Sequence, residues 1–211
     1  MCETRVPFPL NTDTVTRRAA LGSIGSVAVA LALGGCETQA ELPNYAAITF
    51  AHRKSIRVRV GNVVARTTFV KPLKAPNVEH DFPVDLGETA ERWARDRLAA
   101  EGGDGTITYT VLDASVIETP LEKTDGITGL VTADQSERYE GTIKVLVEAA
   151  DATTGQTAET EVSVKRSVTI PEDATFNERE KVWYQLTEKL MADLDRQLEA
   201  AIRKHMSDFV S

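Results

Sequence analysis

Cysteine is almost missing from this chain: its 211 residues contain two, Cys2 and Cys36. No thiol follows position 36, so a disulfide framework and a cysteine-built zinc site are both excluded beyond it. Histidine is nearly as scarce, and His52, His80 and His205 stand too far apart to show ligand spacing. Basic residues are outnumbered, 24 Lys and Arg against 32 Asp and Glu, for a formal charge of −8. That balance argues against nucleic acid as a partner and against a broad basic patch on anionic lipid. No Gly-x-Ser-x-Gly elbow and no phosphate-cradling glycine loop occurs. Gly102-Gly103-Asp104-Gly105 follows a helical pattern rather than opening one, which makes it a turn. Internal repeats and low-complexity tracts are absent too. The uncharged run from Ala19 to Gly35 is rich in Gly, Ala and Ser. It falls short of the roughly 20 strongly apolar residues that a spanning helix needs.

What flanks that run gives it meaning. Arg17 and Arg18 precede it, and Leu33-Gly34-Gly35-Cys36 closes it. A positive start, an apolar middle and small residues at the end make an export signal. The closing tetrad resembles the bacterial lipobox, which implies cleavage between Gly35 and Cys36 and a palmitate-type lipid on the Cys36 sulfur. No other cofactor is expected. Thr16-Arg17-Arg18-Ala19-Ala20-Leu21 is similar to a twin-arginine export motif, with a general secretory signal as the alternative. Glu37 stands where an Asp would retain a lipoprotein at the inner membrane, which favours the outer membrane. The expected organisation is a leader over 1–35, a tether over 36–46, and one folded domain over 47–211.

Within the domain, Ile56, Val58 and Val60 alternate with Arg57 and Arg59, which predicts a half-buried strand continuing beyond Gly61-Asn62. Three prolines between Lys71 and Pro83 forbid a helix there and give an ordered loop. Asp85 with Glu88 reads as a capping box for a helix over about 86–100, whose stripe is Ala90, Trp93, Ala94 and Leu98. Strands are expected over about 106–117, 138–149 and 157–170, with a long excursion between the first two. Asp151 to Gly155 reads as the hairpin turn between the last two. Asn177 with Glu180 suggests another helix start. From there Trp183, Leu186, Leu190, Leu194, Leu198, Ile202 and Met206 form one stripe to about His205. The fold class is α+β: a four-stranded, largely antiparallel sheet with two helices on one face, in the order β-α-β-β-β-α, ending in a long helix. At roughly 40 Å that helix exceeds a typical strand of about 20 Å. Leu194, Leu198, Ile202 and Met206 therefore form a candidate partner surface on a projecting end.

Glu79-His80-Asp81 is the one cluster with catalytic or metal-binding residue types, and a hydrolase or metal site at His80 is the enzymatic reading. Adjacent residues of an extended loop point to opposite sides, so the expectation is a structural loop and a protein that is not an enzyme.

Pro72 to His80, the Arg92-Trp93-Ala94-Arg95-Asp96-Arg97-Leu98 helix, Asp113 to Thr119 and Arg166 to Glu172 together resemble a group of uncharacterised envelope lipoproteins of Gram-negative, alphaproteobacterial cells. The element order is also similar to lipopolysaccharide-assembly lipoproteins and to auxiliary lipoproteins of ABC-type lipid transporters. The resemblance implies a membrane-anchored, periplasm-facing accessory module that engages the bilayer through its acyl chains and an envelope protein as partner. A lipid carried between sheet and helices is the alternative.

Overall fold

The structure is a computed structural model that describes residues 44–121 and 135–211. Cys36, Gly35, Arg17 and Arg18, together with most of the excursion after the first long strand, lie outside the described residues. The strands are β1 (Ile56–Val58), β2 (Asn62–Thr67), β3 (Leu98–Ala100), β4 (Thr106–Pro120), β5 (Gln135–Ala150) and β6 (Thr157–Pro171). Two helices, α1 (Leu86–Arg97) and α2 (Phe176–His205), pack on one face of a sheet ordered β2-β4-β5-β6. β4, β5 and β6 form an antiparallel meander, while β2 lies parallel to β4. The expected α+β class, four-stranded sheet and long final helix are all present. The parallel pair arises because α1 carries the chain back across the sheet between β2 and β4.

Period-two burial builds the inner face. Ile107, Tyr109 and Val111 of β4, Ile143, Val145 and Val147 of β5, and Val162 and Val164 of β6 are buried against the helices. The alternate positions of β6, from Thr157 to Thr169, are exposed on a face that neither helix covers. Gly141 lies tight beneath α2: a Cβ there would stand 2.5 Å from the Leu190 Cδ1 atom. Glycine at this point lets α2 settle onto β5.

The first strand of the sequence reading divides in two. Ile56–Val58 leaves the main sheet and pairs in parallel with β3 as a separate two-stranded sheet, whereas Asn62–Thr67 joins β4. Between them Gly61 sits so close to Gly103 that a Cβ would meet its carbonyl oxygen at 2.3 Å. α1 starts as expected, with Asp85 Oδ1 accepting from the Glu88 amide at 2.9 Å. It ends at Arg97 rather than Ala100, because Leu98 turns extended (φ −95°, ψ 123°) and residues 98–100 take up pairing with β1. Tertiary pairing overrides the local helical pattern. Gly102 and Gly103, with φ of 103° and 116°, then make the turn into β4.

The proline-rich loop has a structural task. β2 leaves β4 near the register shift between Val111 and Asp113, and the loop returns beside the upper half of β4. There the Val78 amide donates to Val116 O at 3.0 Å and the Glu118 amide to Pro76 O at 2.9 Å. An edge left open by a six-residue strand is thereby covered.

α2 begins two residues before the sequence reading placed it. Thr175 is the N-cap: its amide donates to Glu178 Oε2 at 2.8 Å, and its hydroxyl oxygen accepts from the Glu178 amide at 3.3 Å. The helix has 30 residues, about 45 Å. It is matched by strands of 15 or 16 residues, about 50 Å. Nothing overhangs. Leu194, Leu198 and Ile202 are fully buried and Met206 is 1% exposed, so the candidate partner surface is core. The error came from setting the helix against a strand of average length. The last residues continue into the small sheet, where Val210 bridges Val58 and the Arg59 amide donates to Phe209 O at 2.8 Å.

Candidate functional site

The first described residues lie along α2, where side chains hold them in place. Tyr45 and Tyr184 bring their ring centroids to 5.0 Å, and the Tyr184 hydroxyl donates to Ala46 O at 3.1 Å. Burial and then the nearby Glu188 carboxylate push the Tyr184 phenol above its ordinary pKa, which keeps it a donor. Farther on, the Thr49 hydroxyl and the Phe50 amide both donate to Asp96 Oδ2 of α1, each at 2.7 Å. Phe50 then enters the core at 7% exposure.

Between this segment and α2 lies a groove of about 740 Å³. Ile48, Phe50, Tyr184 and Ala192 give it apolar walls, and Glu188 and Arg196 also line it. Asp195, which lines it too, is buried and accepts from three donors. Trp93 Nε1 and Arg97 Nε donate to Oδ1, each at 2.8 Å, and Arg53 reaches Oδ2 at 3.1 Å. Arg97, 1% exposed, also donates to Lys54 O and pairs with Glu199. A charge this deep is tolerated only when its hydrogen bonds are made, and here one arginine joins α1, α2 and the chain entering β1. The sequence reading missed this network. Its members come from segments about 40 to 140 residues apart, and Arg97 looks locally like any surface arginine of a helix.

Glu79-His80-Asp81 does not converge. The three residues form a single 3-10 turn in which Glu79 turns inward, 2% exposed, while His80 and Asp81 stay at the surface. Glu79 Oε2 accepts from the Val116 amide at 3.1 Å, supplying the upper half of β4 with another edge partner. His80 Nε2 lies 3.7 Å from Asp81 Oδ1, beyond a good hydrogen bond. Among the described residues no group of three or more His, Cys, Asp or Glu side chains could hold a metal ion. No helix among them is long and apolar enough to cross a membrane. What the groove offers chemically is an apolar wall with fixed charges along it, suited to binding.

No protein-family model matches the chain, and no curated protein matches it significantly. Solved structures resemble it distantly. A minor lipoprotein from Acinetobacter baumannii is 14% identical, with 70% of this chain and 96% of that chain covered and a TM-score of 0.37. The rare lipoprotein B from Shewanella oneidensis is 11% identical, covering 66% and 92%, with a TM-score of 0.33. A protein from Xanthomonas campestris is 12% identical, covering 65% and 82%, with a TM-score of 0.30. Identities and superpositions of this size mark a likeness and carry no activity across.

Proposed function

We propose that this protein is a lipid-anchored component of the Gram-negative cell envelope, acylated at Cys36 and facing the periplasm from the outer membrane. It acts there as a non-catalytic accessory module in envelope assembly or transport, binding an envelope partner at the groove beside its tether. The observation that carries this reading is how the first described residues are fastened. Seven residues separate Cys36 from Asn44, a reach of about 29 Å at most, and the segment after Asn44 is fastened to Tyr184 and Asp96. An acyl anchor at Cys36 would hold the groove close to the bilayer surface. The leader with Arg17, Arg18 and Gly35-Cys36 supports the same reading.

Metabolic labelling with a fatty acid tests it. Label on the wild type and none on Cys36→Ser, with the variant released from membranes, is the expected result. An unlabelled wild-type protein would sink the proposal.

The apolar lining of the groove favours one second reading, an acyl chain or other apolar ligand held there. The space between sheet and helices is filled by Trp93, Tyr109, Leu190 and Leu194, all fully buried, so such a ligand belongs in the groove. Native mass spectrometry of the purified protein would detect it, and its absence after extraction in mild detergent would remove this version.

A further inference from the structure

The outer edge of β6 is the longest open feature of the described fold. β6 is the last strand of its sheet, hydrogen-bonded to β5 along one side, and runs 15 residues with its proline only at the end. An edge of that length is a template for another strand. Its exposed face reads Thr157, Glu159, Glu161, Ser163, Lys165, Ser167, Thr169. The acidic residues fall before Ser163 and the basic one after it, so this strand is complementary to itself when reversed.

We infer that β6 pairs antiparallel with β6 of a second copy about a twofold axis at Ser163, joining two four-stranded sheets into one of eight. In that register Glu161 faces Lys165 of the second copy, and the reciprocal pair repeats it. On the inner face Val162 meets Val164 of the second copy, twice. The register centred on Val162 also sets an acid, Glu159, against Lys165, but it opposes Thr160 to Val164 on the inner face; the other neighbouring registers lose the match. One places Glu161 against its own counterpart, another does so with Lys165, and a third sets Val162 against Arg166. Directly opposed side chains approach to about 5 Å, close enough for each opposite-charge pair to stabilise the ladder.

The charges next to this edge extend the pattern. Lys144 already lies 3.0 Å from Glu161, and Glu140 lies 3.7 Å from Lys165. Across the dimer they form an alternating row: Lys144, Glu161, then Lys165 and Glu140 of the second copy. On the inner face α2 packs chiefly against β6, where Arg166 pairs with its Asp193, so the charges that select the second copy are those of the outer face. The charged residues thus have two effects: they repel an unrelated strand, and they accept a reversed copy of themselves.

Charge reversal on the full chain in mild detergent tests the pairing, with mass read by sedimentation. The wild type is expected to sediment as a dimer. Glu161→Lys and Lys165→Glu should each weaken the dimer roughly tenfold by placing like charges opposite each other, and the double variant E161K/K165E should restore it. Within one copy the double variant only creates like-charge neighbours, with Lys144 and with Glu140, so restoration cannot come from inside the chain. Both positions are solvent-exposed, and unchanged thermal melts verify that the variants fold. A wild type that stays monomeric at all concentrations overturns the inference. So does a dimer indifferent to the single reversals, or one that the double variant fails to restore.

Discussion

Asp195 meets Arg97 at 2.8 Å inside the protein, their side chains 6% and 1% exposed. Removing one partner of such a pair is costly because the other is left charged and buried. Asp195→Ala, which also strips Trp93 Nε1 of its acceptor, should lower unfolding stability by about 3–5 kcal/mol in a urea titration. Replacing both residues together with apolar side chains of similar volume should recover much of that loss. Equal losses in the single and double variants would mean that the pair is not what holds α1 to α2.

Two glycines should respond differently to the same methyl group. At Gly61 the added Cβ meets the Gly103 carbonyl oxygen at 2.3 Å, and backbone cannot step aside. At Gly141 it meets the tip of Leu190, a side chain with some rotamer freedom. Gly61→Ala should therefore cost about 3 kcal/mol or more and Gly141→Ala about 1–2 kcal/mol. Thermal unfolding of the two variants side by side checks the order.

Leu194→Ala separates a buried stripe from a docking seam. With Leu194 fully buried, the truncation should destabilise the isolated protein by about 2–5 kcal/mol. A side chain waiting for a partner would lose far less.

Two aspartates set the acid limit. Burial alone would raise Asp85, but the Lys71 ammonium and the Glu88 and Gly87 amides outweigh it and hold the carboxyl below its ordinary value. At Asp193 the Arg166 guanidinium does most of this, with Arg196 adding to it against partial burial. A carboxyl held lower in the folded state than in the unfolded one stabilises the fold above the unfolded value of 3.8. That contribution falls away as pH drops from about 3.8 through the folded values. Melting temperature should be level from neutral pH to about 4 and decline below, with a shallower decline in Asp85→Asn. The exposed arginines around Asp193 make its share the smaller one.

Tyr184 should govern how firmly the first described segment is held. In Tyr184→Ala both the ring contact to Tyr45 and the donor to Ala46 are lost. Amide exchange over residues 45–50 should accelerate while that of the β4–β5–β6 meander stays unchanged.

Most of the architecture could be read from periodicity. Alternation in 106–117, 138–149 and 157–170 located three long strands, Asp85 located the start of α1, and the stripe from Trp183 to Met206 located α2. Local pattern failed wherever a distant segment decided the outcome. Leu98 continues a helical stripe yet pairs with β1, and Glu79 looks like a catalytic neighbour yet caps the edge of β4. The overhang assigned to α2 had a different origin. The three strand lengths already in view would have given a sheet as long as the helix. Arg97 and Asp195 carry no local signal at all, because what distinguishes them is burial produced by packing.

The fastening of residues 45–54 also determines how the molecule would bear a load. Tension applied from the amino-terminal side reaches the tilted Tyr45–Tyr184 ring contact first, then the Asp96 clasp on Thr49 and Phe50, and only afterwards the Arg97 grip on the Lys54 carbonyl. The outer fastenings can peel away one by one under small forces, lengthening the leash while the β-ladders stay intact. Resistance rises abruptly once the pull arrives at that buried guanidinium.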